Sequence, residues 1–310
     1  MAASSPQNRV VLVAGATGML GGKAVDALLA RGKKVRALVR EGTDSGALAA
    51  KGVEVVRGDL LDPASLDRAM AGADAVVTTA AGYTMRRKGD SLEKVDGQGN
   101  RNLVDAARRA GLRRFVFTSI LTCDQAPGVP HFWQKKLIED HLEASGVPFV
   151  SLRPGAFLGG GGGGDWLARG LRKGRVMRLG SGTVPWTYIH PDDVARCLAL
   201  AVDEPRVVGR RIDLGFDRPV SLAELAGLFS QEMGRPVKLA SGAPLRTAFR
   251  LMALWKPFAR DALAMFDYFE TGRYVADTRR QAELFGPVPK VEDGVRRLVA
   301  ETGLTKGPAP

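Results

Sequence analysis

VVLVAGATGMLGGKAV, Val10 to Val25, joins an unbroken apolar run to a helical pattern through three glycines, Gly15, Gly18 and Gly21. The apolar run reads as a strand buried on both faces, as strands of parallel sheets are. A helix is expected from about Gly18 to Arg31, with Leu20, Ala24, Ala27 and Leu28 inward. Glycines at such a junction let the backbone turn sharply and approach a pyrophosphate, whose charge a helix N-terminus favours. A glycine triplet alone says little. Following a strand, opening a helix and lying inside a strand–helix–strand unit, it meets the context that dinucleotide binding requires.

Outward from this stretch the chain alternates β-rich runs with helical patterns. KVRALVR (34–40), VEVVRG (53–58), ADAVVTTA (73–80), RRFVFTS (113–119) and PFVSLRP (148–154) read as further strands. Helices are expected after Pro63, from about Gly97 to Gly111, and around HFWQKKLIED (131–140). The pattern implies an α/β fold, a Rossmann-like doubly wound parallel sheet covered by helices, followed by a smaller, mostly helical substrate-binding part. The expected division is 1–158 for the nucleotide-binding domain and 159–310 for the remainder, with segments around 186–216 returning to the first domain. Six glycines, Gly159 to Gly164, form either a surface loop or the hinge of a lid. The end, TKGPAP, is expected to fray.

The 310 residues are 45% hydrophobic and 25% charged, the balance of an ordinary globular chain with room for a large core. The net charge is +12, but its basic residues come as scattered pairs with no nucleic-acid-binding motif. A basic surface biased toward anionic ligands is expected, with no nucleic-acid partner. Cys123 and Cys197 lack Cys-x-x-Cys spacing, and His131, His141 and His190 lack metal-ligand spacing, so neither disulfide nor metal is expected. No apolar run reaches the length of a membrane span, and the start lacks the pattern of a signal peptide. A cytoplasmic protein without membrane insertion is the expectation.

Several segments resemble, in order, the extended and atypical short-chain dehydrogenase/reductase superfamily. Gly15-Ala16-Thr17-Gly18 heads the spacing Gly-x-x-Gly-x-x-Gly. Gly58-Asp59-Leu60, Thr79-Ala80-Ala81 and VDGQGNRNLVDAARRAG (95–111) follow. SGVPFVSLRPGAF (145–157) is similar to a marked segment of the atypical branch that includes NmrA-like proteins. The resemblance implies a bound nicotinamide dinucleotide. Its turn residues would be Gly15, Thr17, Gly18, Met19, Leu20 and Gly21; Asp59 and Leu60 would meet the adenine. Thr79, Ala80 and Ala81 would lie under the cofactor, and Pro154, Gly155 and Phe157 would complete its surroundings. Arg40, at the end of the second strand, stands where an NAD enzyme usually has an acid, and a guanidinium there suits a 2′-phosphate. The expected cofactor is therefore NADP. Arg36 shares that face but lies four residues back, roughly 13 Å from the strand end, and is the weaker candidate.

The superfamily's Tyr-x-x-x-Lys pair becomes His131-x-x-x-Lys135 here, with Glu139 one turn on. By resemblance Lys135 holds the nicotinamide ribose; the alternative is a solvated lysine like Lys136. His131 can exchange a proton near neutral pH, or it can simply satisfy backbone groups at a helix start. The family serine is displaced too: Thr118-Ser119-Ile120 leaves Ser119, or Thr122, to serve. Tyr83 and Tyr188 are other proton-donor candidates, Tyr188 alternatively packing. In PLRTAFRLMALWKPFARDALAMFDYFETGRY (244–274), Phe249, Met252 and Phe258 read either as core or as walls of an apolar pocket. Contact with a membrane surface is a further reading, weakened by Pro257. Three functions remain open: an NADPH-dependent reductase of an apolar carbonyl or conjugated double bond, a non-catalytic NADP-binding sensor or assembly factor, and an epimerase or isomerase. The expected partner is a small apolar substrate, the chain being a monomer or homodimer.

Overall fold

The computed structural model describes residues 9–82, 89–160, 165–178 and 180–304. Its strands are β1 (Val10–Ala14), β2 (Lys34–Val39), β3 (Glu54–Arg57), β4 (Ala75–Thr78), β5 (Arg114–Thr118) and β6 (Phe149–Pro154). They continue with β7 (Ala156–Phe157), β8 (Arg175–Arg178), β9 (Tyr188–Ile189), β10 (Arg210–Leu214) and β11 (Lys238–Ser241). The helices are α1 (Met19–Ala30), α2 (Gly46–Ala49), α3 (Pro63–Met70), α4 (Asn100–Arg109), α5 (Pro130–Ser145) and α6 (Asp165–Arg172). After them come α7 (Pro191–Ala201), α8 (Leu222–Met233), α9 (Ala243–Met252), α10 (Pro257–Phe269), α11 (Arg279–Phe285) and α12 (Val291–Glu301).

The chain forms two compact units. The first takes the described residues up to Ile120, Gln134–Arg153 and Asp192–Ile212; the second takes Leu121–Trp133, Pro154–Pro191 and the described residues from Asp213. A seven-stranded sheet runs β3-β2-β1-β4-β5-β6-β10. The pairings from β3 through β6 are all parallel. This is the doubly wound order, whose ligand crevice lies where strand order reverses, at the carboxyl ends of β1 and β4. Ala14 and Thr78 sit side by side there. The apolar runs of β1, β4, β5 and β6 are buried on both faces as expected, whereas the edge strand β3 is only partly covered. Leu12, Val76, Phe115 and Phe117 pack in one core with Leu66, Met70, Leu103 and Ile138 from the helices.

One local departure and one buried ion pair shape the first unit. The helix expected from Gly97 begins earlier, as a π-helix over Glu93–Gly99 that passes into α4. Its glycines permit close packing: a Cβ on Gly99 would lie 2.9 Å from the Leu60 Cβ. Glu139 on α5 is fully enclosed and accepts from Arg153 Nε at 3.0 Å, from Arg153 Nη2 at 2.5 Å and from Arg211 Nε at 3.0 Å. It therefore ties α5 to β6 and β10.

In the second unit, β7 pairs with β9 and β11 with β8, both parallel. Phe249, Met252 and Phe258 are not core. None is buried, and α9 has no buried residue at all; α10 turns Ala259, Asp261, Ala262, Tyr268 and Phe269 inward instead. The periodicity marks a real helical face, but this face is only partly covered, Phe249 meeting Phe258 of α10. Both cysteines are buried and neither forms a disulfide; burial pushes the Cys197 thiol up to about 12. Among the described residues no helix is long and apolar enough to cross a membrane.

Removing the Glu139 carboxylate takes from Arg153 a buried partner that it holds through two hydrogen bonds, while Arg211 keeps Glu143 at 2.8 Å. Glu139→Ala is expected to lower unfolding stability by about 3 kcal/mol, toward the lower end for a broken buried pair because Arg211 is partly exposed. A urea midpoint shift at constant m-value would measure it.

Candidate dinucleotide and proton-transfer site

The glycine turn is built by close contact. Gly15 has φ +87°, in the region that only glycine enters freely, and a Cβ there would meet Thr79 Oγ1 at 2.8 Å and Ala80 N at 2.9 Å. Gly18 N donates to the Gly15 carbonyl at 2.9 Å. At Gly21 a Cβ would fall 1.9 Å from that same carbonyl oxygen. Any side chain at 15 or 21 would push α1 off the end of β1. The helix opens at Gly18 with no side-chain cap and no acid in its first turn. Its first amides and positive dipole end are therefore suited to an anion. Thr17 is exposed on the turn, Met19 is half-buried, and Leu20 packs into the core, so it can offer only its amide. Thr79 N donates to the Ala14 carbonyl at 2.9 Å, which sets Thr79, half-buried Ala80 and exposed Ala81 as a floor beside the turn.

At the end of β2 and β3 lies a depression of about 280 Å³ lined by Arg40, Arg57, Gly58, Asp59, Ser65 and Arg68. Asp59 is fixed from both sides: its amide donates to Ser65 Oγ at 3.0 Å and its Oδ1 accepts from Leu61 N at 2.9 Å. The Leu60 carbonyl accepts from Asn102 Nδ2 at 2.9 Å. Arg57 donates to the carbonyls of Arg40 and Thr43 at 3.2 and 2.8 Å and to Ser45 Oγ at 3.0 Å, so it pins the loop that carries Arg40. The Arg40 guanidinium pairs with Asp90 at 2.9 Å. Arg36 is engaged elsewhere. It donates to the carbonyls of Ala69 and Ala71 at the end of α3 and pairs with Glu54.

Lys135 is buried, unlike Lys136, which pairs with Asp140 in the next turn. Its Nζ stands 3.7 Å from Asp96 Oδ1 and 5.0 Å from the centre of the Phe117 ring. Asp96 also accepts from Gly82 N at 2.7 Å through Oδ2. Asn100, fully buried, donates to the carbonyls of Val95 and Asp96 at 3.2 Å, and Thr78 Oγ1 donates to its side-chain oxygen at 3.3 Å. The π-helix thus braces the segment after β4 and positions the lysine. Ser119 is buried, with its amide on the Leu152 carbonyl at 2.8 Å.

In the second unit His131 is buried against Asp261 of α10. The His131 amide donates to Oδ1 at 2.9 Å and Nδ1 lies 2.5 Å from Oδ2. The group that satisfies the backbone at this helix start is therefore the Asp261 carboxylate, and the His131 ring lies against the same carboxylate. Phe132 packs edge-on to the His131 ring, with Tyr268, Phe269 and Tyr274 around it. Trp186 stacks on Tyr188 and touches Phe269. Three polar tips in this aromatic cluster, Trp186 Nε1, Tyr188 OH and Tyr268 OH, are buried without a hydrogen-bond partner among the described residues. Such tips suit a polar group on an otherwise apolar ligand. Burial, with Tyr274 nearby, pushes the Tyr188 hydroxyl well above the usual phenol range. Tyr83 lies outside the described residues.

Pro154, Gly155 and Phe157 also belong to this unit. The Pro154 carbonyl accepts from Leu121 N at 3.0 Å, and a Cβ on Gly155 would be 2.5 Å from the Thr187 carbonyl, so β7 can run close beside β9 only because residue 155 is glycine. Phe157 is exposed. Thr122 is the one non-glycine residue among those described with positive φ, at 54°. Of the glycine run only Gly159 and Gly160 are among the described residues; both have positive φ, +101° and +82°, which glycine adopts without strain, and Gly160 N donates to Glu301 at 3.0 Å. Sequence reasoning missed Asp90, Asp96, Asp261, Trp186 and Tyr268. Asp96 and Asn100, four apart on a helical stretch, were a usable signal; nothing near Asp261 marks it as the partner of a residue 130 positions away.

The NmrA-like family model matches residues 7–285. The chain belongs to the NmrA-like family. The photosystem II assembly factor Ycf39 of Synechocystis sp. is 29% identical to this NmrA-like chain over 288 residues, covering 90% of it and 86% of the relative. The 2-alkyl-3-oxoalkanoate reductase of Stenotrophomonas maltophilia is 29% identical over 334 residues, covering 94% and 99%. The fold matches the crystal structure of Citrobacter sp. triphenylmethane reductase complexed with NADP(H), with a TM-score of 0.76 at 22% identity over 93% and 99% of the two chains.

Gly21→Ala tests the turn directly. With 1.9 Å to the Gly15 oxygen, the added methyl forces α1 to shift. A stability loss of about 1–3 kcal/mol is expected in denaturant titration, whereas Gly22→Ala, where the nearest contact is 3.7 Å, should be nearly neutral.

Proposed function

We propose that this protein is an NADPH-dependent oxidoreductase that reduces an apolar carbonyl or a conjugated double bond. The observation that carries the proposal is the side-chain-free turn of Gly15, Gly18 and Gly21 at the strand-order reversal, with a guanidinium, Arg40, at the end of β2. The names of two similar proteins, an oxoalkanoate reductase and a triphenylmethane reductase with NADP(H), support the same reading.

The turn amides, Thr17, and the amides of Met19 and Leu20 take the diphosphate, and Arg40 takes the 2′-phosphate. Asp59 and Leu60 take the adenine side, and Thr79, Ala80 and Ala81 form the floor. Lys135, held by Asp96, takes the nicotinamide ribose, and Pro154, Gly155 and Phe157 flank the nicotinamide end. When bound, NADPH supplies a hydride. The proton comes from His131, one helical turn before Lys135 on α5. Asp261 beside Nδ1 fixes the ring, which assigns proton exchange to Nε2. Ser119 supplies a hydroxyl toward the substrate oxygen. The aromatic cluster around Phe132 and Trp186 receives the apolar body of the substrate.

A second reading is a non-catalytic NADP-binding assembly factor. It is favoured by the similarity to Ycf39 and by histidine standing where the superfamily has tyrosine. The two readings separate by turnover. NADPH oxidation is expected against a panel of apolar ketones, enones and quinones. His131→Phe should lower kcat by about 10²–10⁴-fold and Asp261→Asn by roughly 10–100-fold, while Lys135→Ala raises the NADPH dissociation constant. Tight NADPH binding with no turnover across the panel would favour the non-catalytic sensor or assembly-factor reading instead, and a cofactor that stays bound through cycles would point to an isomerase.

The cofactor preference has its own test. Arg40→Ala should weaken NADPH by about 10–100-fold and leave NADH nearly unchanged, because only the 2′-phosphate loses its partner. Asp90 competes for the same guanidinium, so Asp90→Asn should tighten NADPH by about threefold, less at high salt. Isothermal titration with the two cofactors reads both effects.

A further inference from the structure

The corner between α9 and α10 is apolar, basic and uncovered. Trp255 is 73% exposed, Leu254 62% and Leu251 58%, with Phe258 exposed in the first turn of α10 and Leu245 in the first turn of α9. Helix α9 buries none of its ten residues. Most surface apolar residues are scattered and need no explanation, but a contiguous group of this kind does. The corner is also well formed. Arg260 Nε donates to the Ala253 carbonyl at 2.6 Å, Arg260 Nη2 to the Leu254 carbonyl at 3.3 Å, and Phe249 meets Phe258 edge to face. Pro257, which breaks the helical pattern of this stretch, opens α10 and so gathers the largest side chains at one turn.

Charge selects the occupant. Residues 243–260 hold Arg246, Arg250, Lys256 and Arg260 and no acid, within a chain of net charge +12. Arg246 pairs with Asp267, whereas Arg250 and Lys256 are exposed beside the apolar tip. A second copy is disfavoured. A two-fold interface would set the same patch against itself, cation against cation. A lipid surface meets both features. Trp and Leu enter the headgroup–acyl boundary while the cations face anionic headgroups, and no complementary cavity is required because lipid closes around a protruding corner. We propose that the α9–α10 corner docks this protein peripherally on anionic membranes, bringing an apolar substrate dissolved in the bilayer within its reach. The docking itself is independent of the reductase reading.

The test is co-sedimentation of the full chain with phosphatidylcholine vesicles, with and without phosphatidylglycerol. Binding to the anionic vesicles is expected to exceed binding to the neutral ones by at least about tenfold and to weaken as salt rises. Leu254→Ser with Trp255→Ser, and separately Arg250→Glu with Lys256→Glu, should each reduce partitioning by about tenfold or more. These side chains are exposed, so melting temperatures should hold, and circular dichroism checks that the variants fold. Failure of the unaltered chain to bind anionic vesicles would overturn the proposal, as would equal binding by the folded variants. A dimer in light scattering that Trp255→Ser dissociates would make a second copy the occupant and overturn it as well.

Discussion

Gly15 and Gly21 touch where a methyl group would not fit, and the carboxyl end of the seven-stranded sheet is arranged around that contact. The carbonyl of Gly15 occupies the space in which a residue-21 Cβ would stand, so α1 begins directly on the end of β1. This closeness sets the helix N-terminus at the strand-order reversal and places Thr79 and Ala80 against the turn. Widening it by one side chain would move the amide donors, the floor segment and the helix together. The geometry is stabilised by what is missing rather than by any strong bond, which is why glycine is required at both places.

Within each unit, buried ionisable side chains are held by partners rather than left to water. Lys135 has Asp96, His131 has Asp261, and Glu139 has Arg153 and Arg211. Ion pairs of this kind add little net stability compared with apolar packing, but losing one partner is expensive, so each pair enforces one geometry. The carboxylate beside the His131 ring and the π-helix beside Lys135 thus limit the freedom of each side chain within its own unit. The uncovered α9–α10 corner follows the opposite rule. It exposes large apolar side chains that the second unit does not use.

Most of the sheet could be read from the chain because each strand announces itself locally. Val10–Ala14, Ala75–Thr78 and Phe149–Pro154 are runs without a polar break except at their ends or at a buried serine, and strands within a parallel sheet need nothing else. Boundaries moved by a residue or two. The π-helix at Glu93–Gly99 was not legible, since a helical pattern does not say which carbonyl each amide will choose. Nor was the fate of Phe249, Met252 and Phe258: helical periodicity marks an apolar face but not whether anything lies against it.

The sequence alone settled those properties that depend on neighbours within a turn or a strand. These are the glycine junction, the alternation of strand and helix, the guanidinium after β2 and the spacing of His131 and Lys135 along one helix. The folded chain was needed for every pairing that spans it. Asp261 reaches His131 across 130 positions, Gly82 and Lys135 meet at Asp96, and Arg36 turns away to cap α3 while Arg40 stays at the depression. Backbone preferences act over a few bonds and leave their mark in local order. Charge pairing and burial act through space, and the distances that govern them exist only once the chain has closed on itself.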